Sequence, residues 1–153
     1  MFEICASEVG KSNIIIKNII NIILERLVME DKITLCGDNC VYCPRYNAHD
    51  ENNLNDVAKL WYKVGWRDKI VANEEIRCNG CSSHIKCTYQ LIDCIKGRDI
   101  DKCNQCHEFP CEKIERMLNQ MKIYQKKCRE VCSDKEYTEL EKAFFEKERN
   151  LQK

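Results

Sequence analysis

The stretch "LCGDNCVYCP", Leu35–Pro44, holds three cysteines, Cys36, Cys40 and Cys43, within ten residues. Cysteine is abundant elsewhere too, since the 153-residue chain contains 13 of them. So high a density indicates either a disulfide framework or bound metal. The odd count, the many CxxC-type pairs and an N-terminus without the positive charge of a secretory signal favour metal. The three cysteines are therefore interpreted as ligands, and loops folded around metal ions are expected to decide the fold.

The spacing CxxxCxxC, with Tyr42 before its last thiol, is also the one by which radical S-adenosylmethionine enzymes hold a four-iron cluster. Those enzymes need most of a (β/α) barrel to enclose their substrate, and such a barrel takes about 250 residues. This chain is too short for the barrel and lacks the alternation of β-branched runs and helices that predicts a parallel sheet. The CxxxCxxC motif is therefore interpreted as part of a different metal framework.

Two further pairs, Cys78 with Cys81 and Cys103 with Cys106, are separated by 21 residues. This separation is close to that of two-knuckle zinc sites, in which two CxxC pairs hold one tetrahedral ion. Three more cysteines lie nearby, which strengthens the prediction of metal. The full set of expected metal ligands is Cys36, Cys40, Cys43, Cys78, Cys81, Cys87, Cys94, Cys103, Cys106 and Cys111.

The CxxxCxxC motif supplies only three ligands of a second site, so a fourth must come from elsewhere. Cys111 is one candidate, because it is expected in the first turn of a helix, where the macrodipole favours a thiolate. Cys94 and Cys87 compete for this role, and the pairing stays open. Histidine can replace a sulfur, and the candidates are His49, His84 and His107, with His84 favoured because it extends the spacing of the preceding CxxC pair.

The 25 basic and 25 acidic residues balance, with no long run of one sign. Nucleic-acid and membrane binding therefore have no support from bulk electrostatics, and the apolar run Ile14–Leu24 is too short and too polar to span a bilayer. Two all-thiolate zinc sites would shift the net charge by roughly −4, because eight thiolates outweigh two divalent ions. The cations that lie among the cysteines and can offset this shift are Arg45, Arg77, Lys86, Lys96, Arg98, Lys102 and Lys113.

The hydrophobic periodicity predicts a mainly α fold, in which a small irregular domain stapled by metal-binding loops has helices on both sides. The predicted helices are Ser12–Val28, Asn53–Val64, Ile85–Lys96, Pro110–Cys132 and a last helix, reaching Leu151, that starts at a capping box of Ser133 and Glu136. Met29 is a second plausible start. The chain is therefore divided into an N-terminal extension (1–28), a cysteine-rich metal-binding domain (29–114) and a C-terminal helical hairpin or tail (115–153).

Four more residues are assigned to the hydrophobic core. Trp61 and Trp66 are interpreted as core residues, because tryptophan buries a large area. Cys128 and Cys132 lie four residues apart, on one face of a predicted helix. They are interpreted as small buried hydrophobes, with a third metal site or a redox pair as alternatives.

The motifs together resemble a cysteine-rich family of bacteria and archaea called domain of unknown function 3795. Its pattern opens with CGxxCxxCxAY, continues with CxGC and closes with CxxCxxFPC. The matching segments are "CGDNCVYCPRYNA" from Cys36, "CNGC" from Cys78, Cys94 with the following Ile95-Lys96-Gly97, and "CNQCHEFPCEKI" from Cys103 to Ile114. The resemblance implies metal binding in the cytosol and carries no established activity.

The chain departs from the family pattern at one position. The family generally has a cysteine about five residues before the position of Cys94, where this chain has Tyr89, and Cys87 lies two residues earlier. The resemblance therefore leaves the ligand role of Cys87 without support.

The sequence favours a cytoplasmic, zinc-stapled protein with a structural or protein-interaction role. A zinc ion held by four cysteines has no open position for a water molecule, and no persuasive Ser/His/Asp constellation or carboxylate pair accompanies the cysteines. One alternative is an iron–sulfur protein with a [4Fe–4S] cluster, used in electron transfer or redox sensing. Another is an enzyme that uses a free thiol such as Cys87 or Cys128.

Overall fold

The computed structural model describes residues 30–81 and 87–152, and the chain in these ranges is mainly helical. No strand forms there, although an isolated antiparallel bridge joins Ile33 and Asn39. The predicted mainly α fold is confirmed. The predicted helix Ser12–Val28 and Cys5 lie outside the described residues.

The helices are numbered in chain order. They are α1 (Pro44–Asn47), α2 (Glu51–Lys63), α3 (Asn73–Ile76), α4 (Leu91–Lys96), α5 (Glu112–Val131), α6 (Asp134–Leu140) and α7 (Lys147–Leu151). Two turns of 3₁₀ helix, Cys40–Tyr42 and Cys103–Gln105, lie in the cysteine-rich part, and a π-helical turn, Glu141–Phe145, follows α6. No helix in the described part of the chain is long and apolar enough to cross a membrane.

The predicted helix Asn53–Val64 is confirmed as α2, which starts two residues earlier. Its start is set by Asp50, whose side chain accepts a hydrogen bond from the Asn53 backbone N–H at 2.9 Å and so caps the helix. Gly65 follows the helix with φ +76°, a left-handed conformation that glycine adopts without steric cost.

The predicted helix Ile85–Lys96 is shorter in the structure, where α4 begins only at Leu91. Gln90 has φ +57°, and a residue in this left-handed conformation cannot continue a right-handed helix. Gly97 ends α4 as expected. Residues 82–86, which include His84 and Lys86, lie outside the described residues.

Helix α5 begins at Glu112 rather than at Pro110. The intervening Cys111 has an extended backbone, with φ −92° and ψ 168°, and is therefore the residue that caps the helix. The prediction that Cys111 lies inside the first turn was wrong by one position. The other end agrees with the prediction, because α5 ends at Val131 and Cys132 is its C-cap.

The predicted capping box of Ser133 and Glu136 is confirmed at the start of α6. The single helix predicted after it is instead divided by the π-helical turn into α6 and α7. Lys147, at the start of α7, is only 6% exposed, and it lies at the helical spacing of the buried Leu140 and Leu151.

The buried side chains form two clusters that share α5. The first, which we call the α2 core, joins the inner face of α2 to Met121, Cys128, Leu140 and Phe145. Trp61 and Trp66 belong here as predicted: Trp61 is buried, Trp66 packs against the cluster, and their ring centroids lie 4.7 Å apart in an edge-to-face arrangement.

The second cluster, which we call the cysteine-side core, contains Leu35, Cys36, Leu91, Cys103, Ile114, Met117 and Leu151. It joins the first cysteine loop, α4, the N-terminal half of α5 and the last helix. Because two cysteines are among its members, the packing of this core sets the positions of the surrounding thiols.

Candidate metal centre

Six cysteines from three parts of the chain line one cavity of about 540 Å³. We call them the cavity group, and they are Cys36, Cys40, Cys43, Cys78, Cys81 and Cys87. The CxxC pair Cys78/Cys81 therefore faces the CxxxCxxC motif. The two-knuckle spacing had instead indicated Cys103 and Cys106 as its partners.

Arg45 connects the two motifs of the cavity group. It lies on α1, directly after the CxxxCxxC motif, and its guanidinium group donates to the carbonyl oxygens of Glu75, Ile76 and Arg77. These carbonyls immediately precede Cys78, so one side chain fixes the position of the CxxC loop. Arg45 was predicted to offset thiolate charge, and its contacts also give it this positioning role.

The remaining predicted ligands form a second set, Cys94, Cys103, Cys106 and Cys111, which we call the loop group. Burial is the largest cause of the raised pKa of Cys103, followed by the thiolates of Cys36 and then of Cys111, Cys94 and Cys106, so the Cys103 thiol lies close to the other three members of the loop group. They come from α4, from the 3₁₀ turn Cys103–Gln105 and the residue after it, and from the cap of α5.

Cys36 lies between the two groups. Among neighbouring charges it contributes most to the raised pKa both of Cys81, in the cavity group, and of Cys103, in the loop group. A backbone hydrogen bond explains this position, because the Cys103 N–H donates to the carbonyl of Leu35 at 3.1 Å. The loop group is thus attached to the first cysteine motif.

Burial is the main cause of the raised pKa values of the thiols. It raises the pKa of Cys40 to about 11 and the pKa of Cys43 to about 12. Burial followed by neighbouring thiolates raises the pKa of Cys81 and of Cys103 to about 12. Close thiolates repel one another, and a divalent cation among them would remove that repulsion.

Basic side chains approach the sulfur atoms of Cys36 and Cys106 directly. The Lys147 ammonium group lies 3.7 Å from the Cys36 Sγ and forms an ion pair with Asp38. The Arg98 guanidinium group donates to the Cys106 Sγ at 3.1 Å and pairs with Glu108 at 2.7 Å. Each cysteine group therefore has a basic side chain on one sulfur, buried in the first case and exposed in the second.

The described histidines do not join the cysteines. His49 and His107 are exposed, and His107 lies 3.7 Å from the Glu108 carboxylate. Cys128 and Cys132 interact with each other through their thiols, at the far end of α5. Cys128 is fully buried in the α2 core, which agrees with its interpretation as a small hydrophobe.

The donors suit a thiophilic metal. All ten predicted ligands are free thiols, and four thiolates around one ion are the usual ligands of structural zinc. In the ranges 30–81 and 87–152 no three His, Cys, Asp or Glu side chains already form a group that could hold a metal ion. Binding would therefore require thiols within each group to rotate toward a common point.

Sequence reasoning missed Lys147 and Asp38. Lys147 is 111 residues from Cys36 in the chain, and its place on the helical face of Leu140 and Leu151 is the one signal that could have indicated its burial. The motif did contain Asp38, but a carboxylate between cysteines has no distinctive spacing. Arg98, in contrast, had been predicted to offset thiolate charge because it lies among the cysteines.

A family model described as "Protein of unknown function (DUF3795)" matches residues 32–116. No curated protein and no solved structure matches the chain. The matched range contains all ten predicted ligands and ends within the first two turns of α5. The C-terminal part that carries Lys147 lies outside it.

Proposed function

Because the chain belongs to the family "Protein of unknown function (DUF3795)", whose description assigns no activity, we propose a function from the cysteine groups themselves. The protein binds two zinc ions through thiolates, one in the cavity group and one in the loop group. The bound ions hold the irregular loops in place and so shape a surface for a protein partner. The resemblance to this family inferred from the motifs is confirmed, whereas the metal and the partner are proposals.

The observation that carries the proposal is the division of ten distant cysteines into two groups. Cysteines between residues 36 and 111 lie near one another in two places, although apart from α2 the described part of this range forms only short helices and turns. Ten buried or half-buried free thiols gathered in this way need a reason beyond packing, and metal coordination supplies one. Thiolates persist in a reducing compartment, so the proposal places the protein in the cytoplasm.

Filled thiolate sites favour a structural role over catalysis. Zinc with four cysteine ligands has no open coordination position, whereas catalytic zinc keeps one for water or substrate. The free energy of binding a structural zinc ion is about 10 to 16 kcal/mol. This is as large as the whole stability of an ordinary domain, about 5 to 15 kcal/mol. Such ions are sufficient to hold loops that have little hydrophobic core of their own.

Elemental analysis of protein prepared without oxygen tests the proposal. We expect two zinc ions per chain and no visible absorption. A brown protein with iron, sulfide and broad visible absorption would replace zinc with the iron–sulfur alternative, for which the four cysteines of the loop group are a suitable set. Protein without bound metal, and unable to take up Zn²⁺ or Co²⁺, would refute metal binding altogether.

Combined substitutions test the grouping. Cys78→Ser, Cys81→Ser and Cys87→Ser together leave three thiols in the cavity group and are expected to remove one zinc ion. Cys103→Ser with Cys106→Ser is expected to remove the other, so all five changes together should remove both. If instead Cys78, Cys81, Cys103 and Cys106 form a single two-knuckle site, the fivefold variant will lose only one ion. Cys132→Ser is the matched control, and it should retain both ions.

A further inference from the structure

We infer that Lys147 is a positioning residue of the proposed metal centre, whose ammonium group donates to the Cys36 sulfur and offsets the negative charge left by thiolate-bound metal. The inference rests on the proposed function. It adds a residue from outside the family-matched range to a centre whose ligands all lie within it.

The burial of Lys147 is the first observation. The residue is 6% exposed, and lysine is almost never buried to this extent unless its charge is paired. Its partners are the Asp38 carboxylate and, at 3.7 Å, the Cys36 Sγ. An ammonium group has three N–H donors, so it can serve both partners at once.

The second observation is that the C-terminal segment is fastened to the first cysteine loop at several points. The Asn150 side chain, itself buried, donates to the Gly37 carbonyl at 2.9 Å. The Asn39 backbone N–H donates to the carbonyl of Ala143 at 2.9 Å. These contacts flank Lys147 and hold its ammonium group against the loop.

The negative charge of the proposed zinc–thiolate sites explains why a cation is needed beside Cys36. A zinc ion with four thiolates would carry a net charge of about −2. Cys36 belongs to the cavity group, and the bond from the Cys103 N–H to the Leu35 carbonyl holds the loop group next to it. Asp38 adds a further negative charge beside the same sulfur. Lys147 therefore supplies a buried positive charge where the proposed centre would place negative charge.

An ion pair with Asp38 that serves only to attach the C-terminal segment is the competing explanation. The two explanations differ in what they predict for Asp38→Asn and Lys147→Met. If only the ion pair matters, both changes should affect the centre equally. If Lys147 acts on the sulfur, Lys147→Met will weaken metal binding more than Asp38→Asn, which leaves the ammonium group in place and removes a repelling carboxylate.

The test measures Zn²⁺ affinity by competition with a chromophoric chelator, and the absorption spectrum of the Co²⁺-loaded protein. We expect Lys147→Met to weaken Zn²⁺ binding about 10- to 100-fold, the usual effect of removing a group that hydrogen-bonds to a ligand. The sulfur-to-cobalt charge-transfer band should move to longer wavelength, because a sulfur without its donor holds its electrons less tightly. Lys147→Arg should restore most of both properties, and Lys135→Met, at an exposed lysine of α6, should match the wild type.

Wild-type affinity and an unshifted band in Lys147→Met would overturn the inference while leaving metal binding intact. A wild-type protein that binds neither Zn²⁺ nor Co²⁺ would overturn the proposed function as well. If Lys147→Met does not fold, the double variant Asp38→Asn/Lys147→Met replaces it in the test, because removing both members of the ion pair leaves no unpaired buried charge. Its affinity should lie below that of Asp38→Asn alone, and equal affinities would refute the role of Lys147.

Discussion

Cys128 shows how a cysteine that lies outside both groups behaves in this protein. It is fully buried in the α2 core, and burial followed by the neighbouring Cys132 raises its pKa to about 12. An unfolded chain gives cysteine a pKa of about 8.5. The folded protein therefore keeps the Cys128 proton over a range of pH in which the unfolded chain releases it.

The sign of the resulting pH dependence follows from this difference. The stabilisation is complete below about pH 8.5 and is lost as the pH rises toward the folded-state pKa. For one proton the loss is roughly 1.4 kcal/mol per pH unit, or about 2 kcal/mol at pH 10. In urea denaturation of metal-loaded protein, we expect the free energy of unfolding to fall more steeply between pH 8 and pH 10 in the wild type than in Cys128→Ala. Parallel curves would show that the thiol ionises freely in the fold.

Individual residues also differ in how far their roles could be predicted from the sequence. The proposed ligand cysteines and Arg98 are recognisable because the local spacing of thiols and nearby charge is itself the signal. Lys147 lies at the helical spacing of Leu140 and Leu151, so its inward face could be read from the sequence, although a lysine there is ordinarily expected to be solvated. Its partners could not be foreseen, because Asp38 and Cys36 lie 109 and 111 residues away in the chain.

At the scale of elements, the approach of α7 to the first cysteine loop depends on one glycine. Gly37 has φ +89°, and a Cβ atom at this position would lie 2.6 Å from the Lys147 carbonyl oxygen and 3.0 Å from the Leu151 Cγ. The oxygen belongs to the backbone of α7, so it cannot move without moving the helix. The loop and the helix can therefore pack this closely only because the residue has no side chain.

Gly37→Ala is expected to lower the free energy of unfolding by about 2 to 6 kcal/mol, because left-handed strain of about 1 to 3 kcal/mol adds to overpacking of similar size. Gly65→Ala is the matched control. It has a similar φ of +76°, but the atoms nearest its Cβ belong to the flexible side chain of Lys127. Chemical denaturation should show a clearly smaller loss for Gly65→Ala. Equal losses would mean that strain alone matters and that α7 adjusts to the added methyl group.

The elements themselves were predictable to different degrees, for physical reasons. The start of α6 follows from the Ser133 cap recognised in the sequence, whereas the Asp50 cap, which starts α2 two residues before the predicted Asn53, was not recognised. The start of α4 does not follow from the sequence in this way, because Gln90 takes its left-handed conformation from its surroundings rather than from its own preference. Helix α3 gave no signal either, since four residues are too few to show a period.

At the scale of the whole molecule, the sequence predicted ten metal ligands but did not indicate how the fold groups these cysteines. Spacing favoured joining Cys78/Cys81 to Cys103/Cys106, whereas the fold places the first pair in the cavity group and the second in the loop group. The grouping depends on two long-range contacts: Arg45 to the carbonyls before Cys78, and Cys103 N–H to the Leu35 carbonyl. Neither contact leaves a pattern in the sequence, because a backbone carbonyl is present at every residue.

The two cores predict how the molecule responds to metal removal. The α2 core contains no proposed ligand, whereas the cysteine-side core contains Cys36 and Cys103. Chelation should therefore unfold the cysteine-rich part and leave α2 and the second half of α5 folded. Amide hydrogen exchange followed by mass spectrometry checks this: residues 87–111 should lose protection when the chelator is added, while α2 should keep most of its protection. Restoring Zn²⁺ should restore the original pattern.

Other results of the hydrogen-exchange experiment would contradict this prediction in different ways. Unchanged exchange throughout, together with an unchanged far-ultraviolet circular dichroism spectrum, would show that metal does not hold the fold together. Loss of protection in α2 to the same extent as in residues 87–111 would show that the two cores unfold as one unit. We expect the divided response, because α5 lies in both cores but its buried Met121 and Cys128 pack only in the α2 core. Loss of the cysteine loops therefore leaves the contacts of Met121 and Cys128 in the α2 core intact.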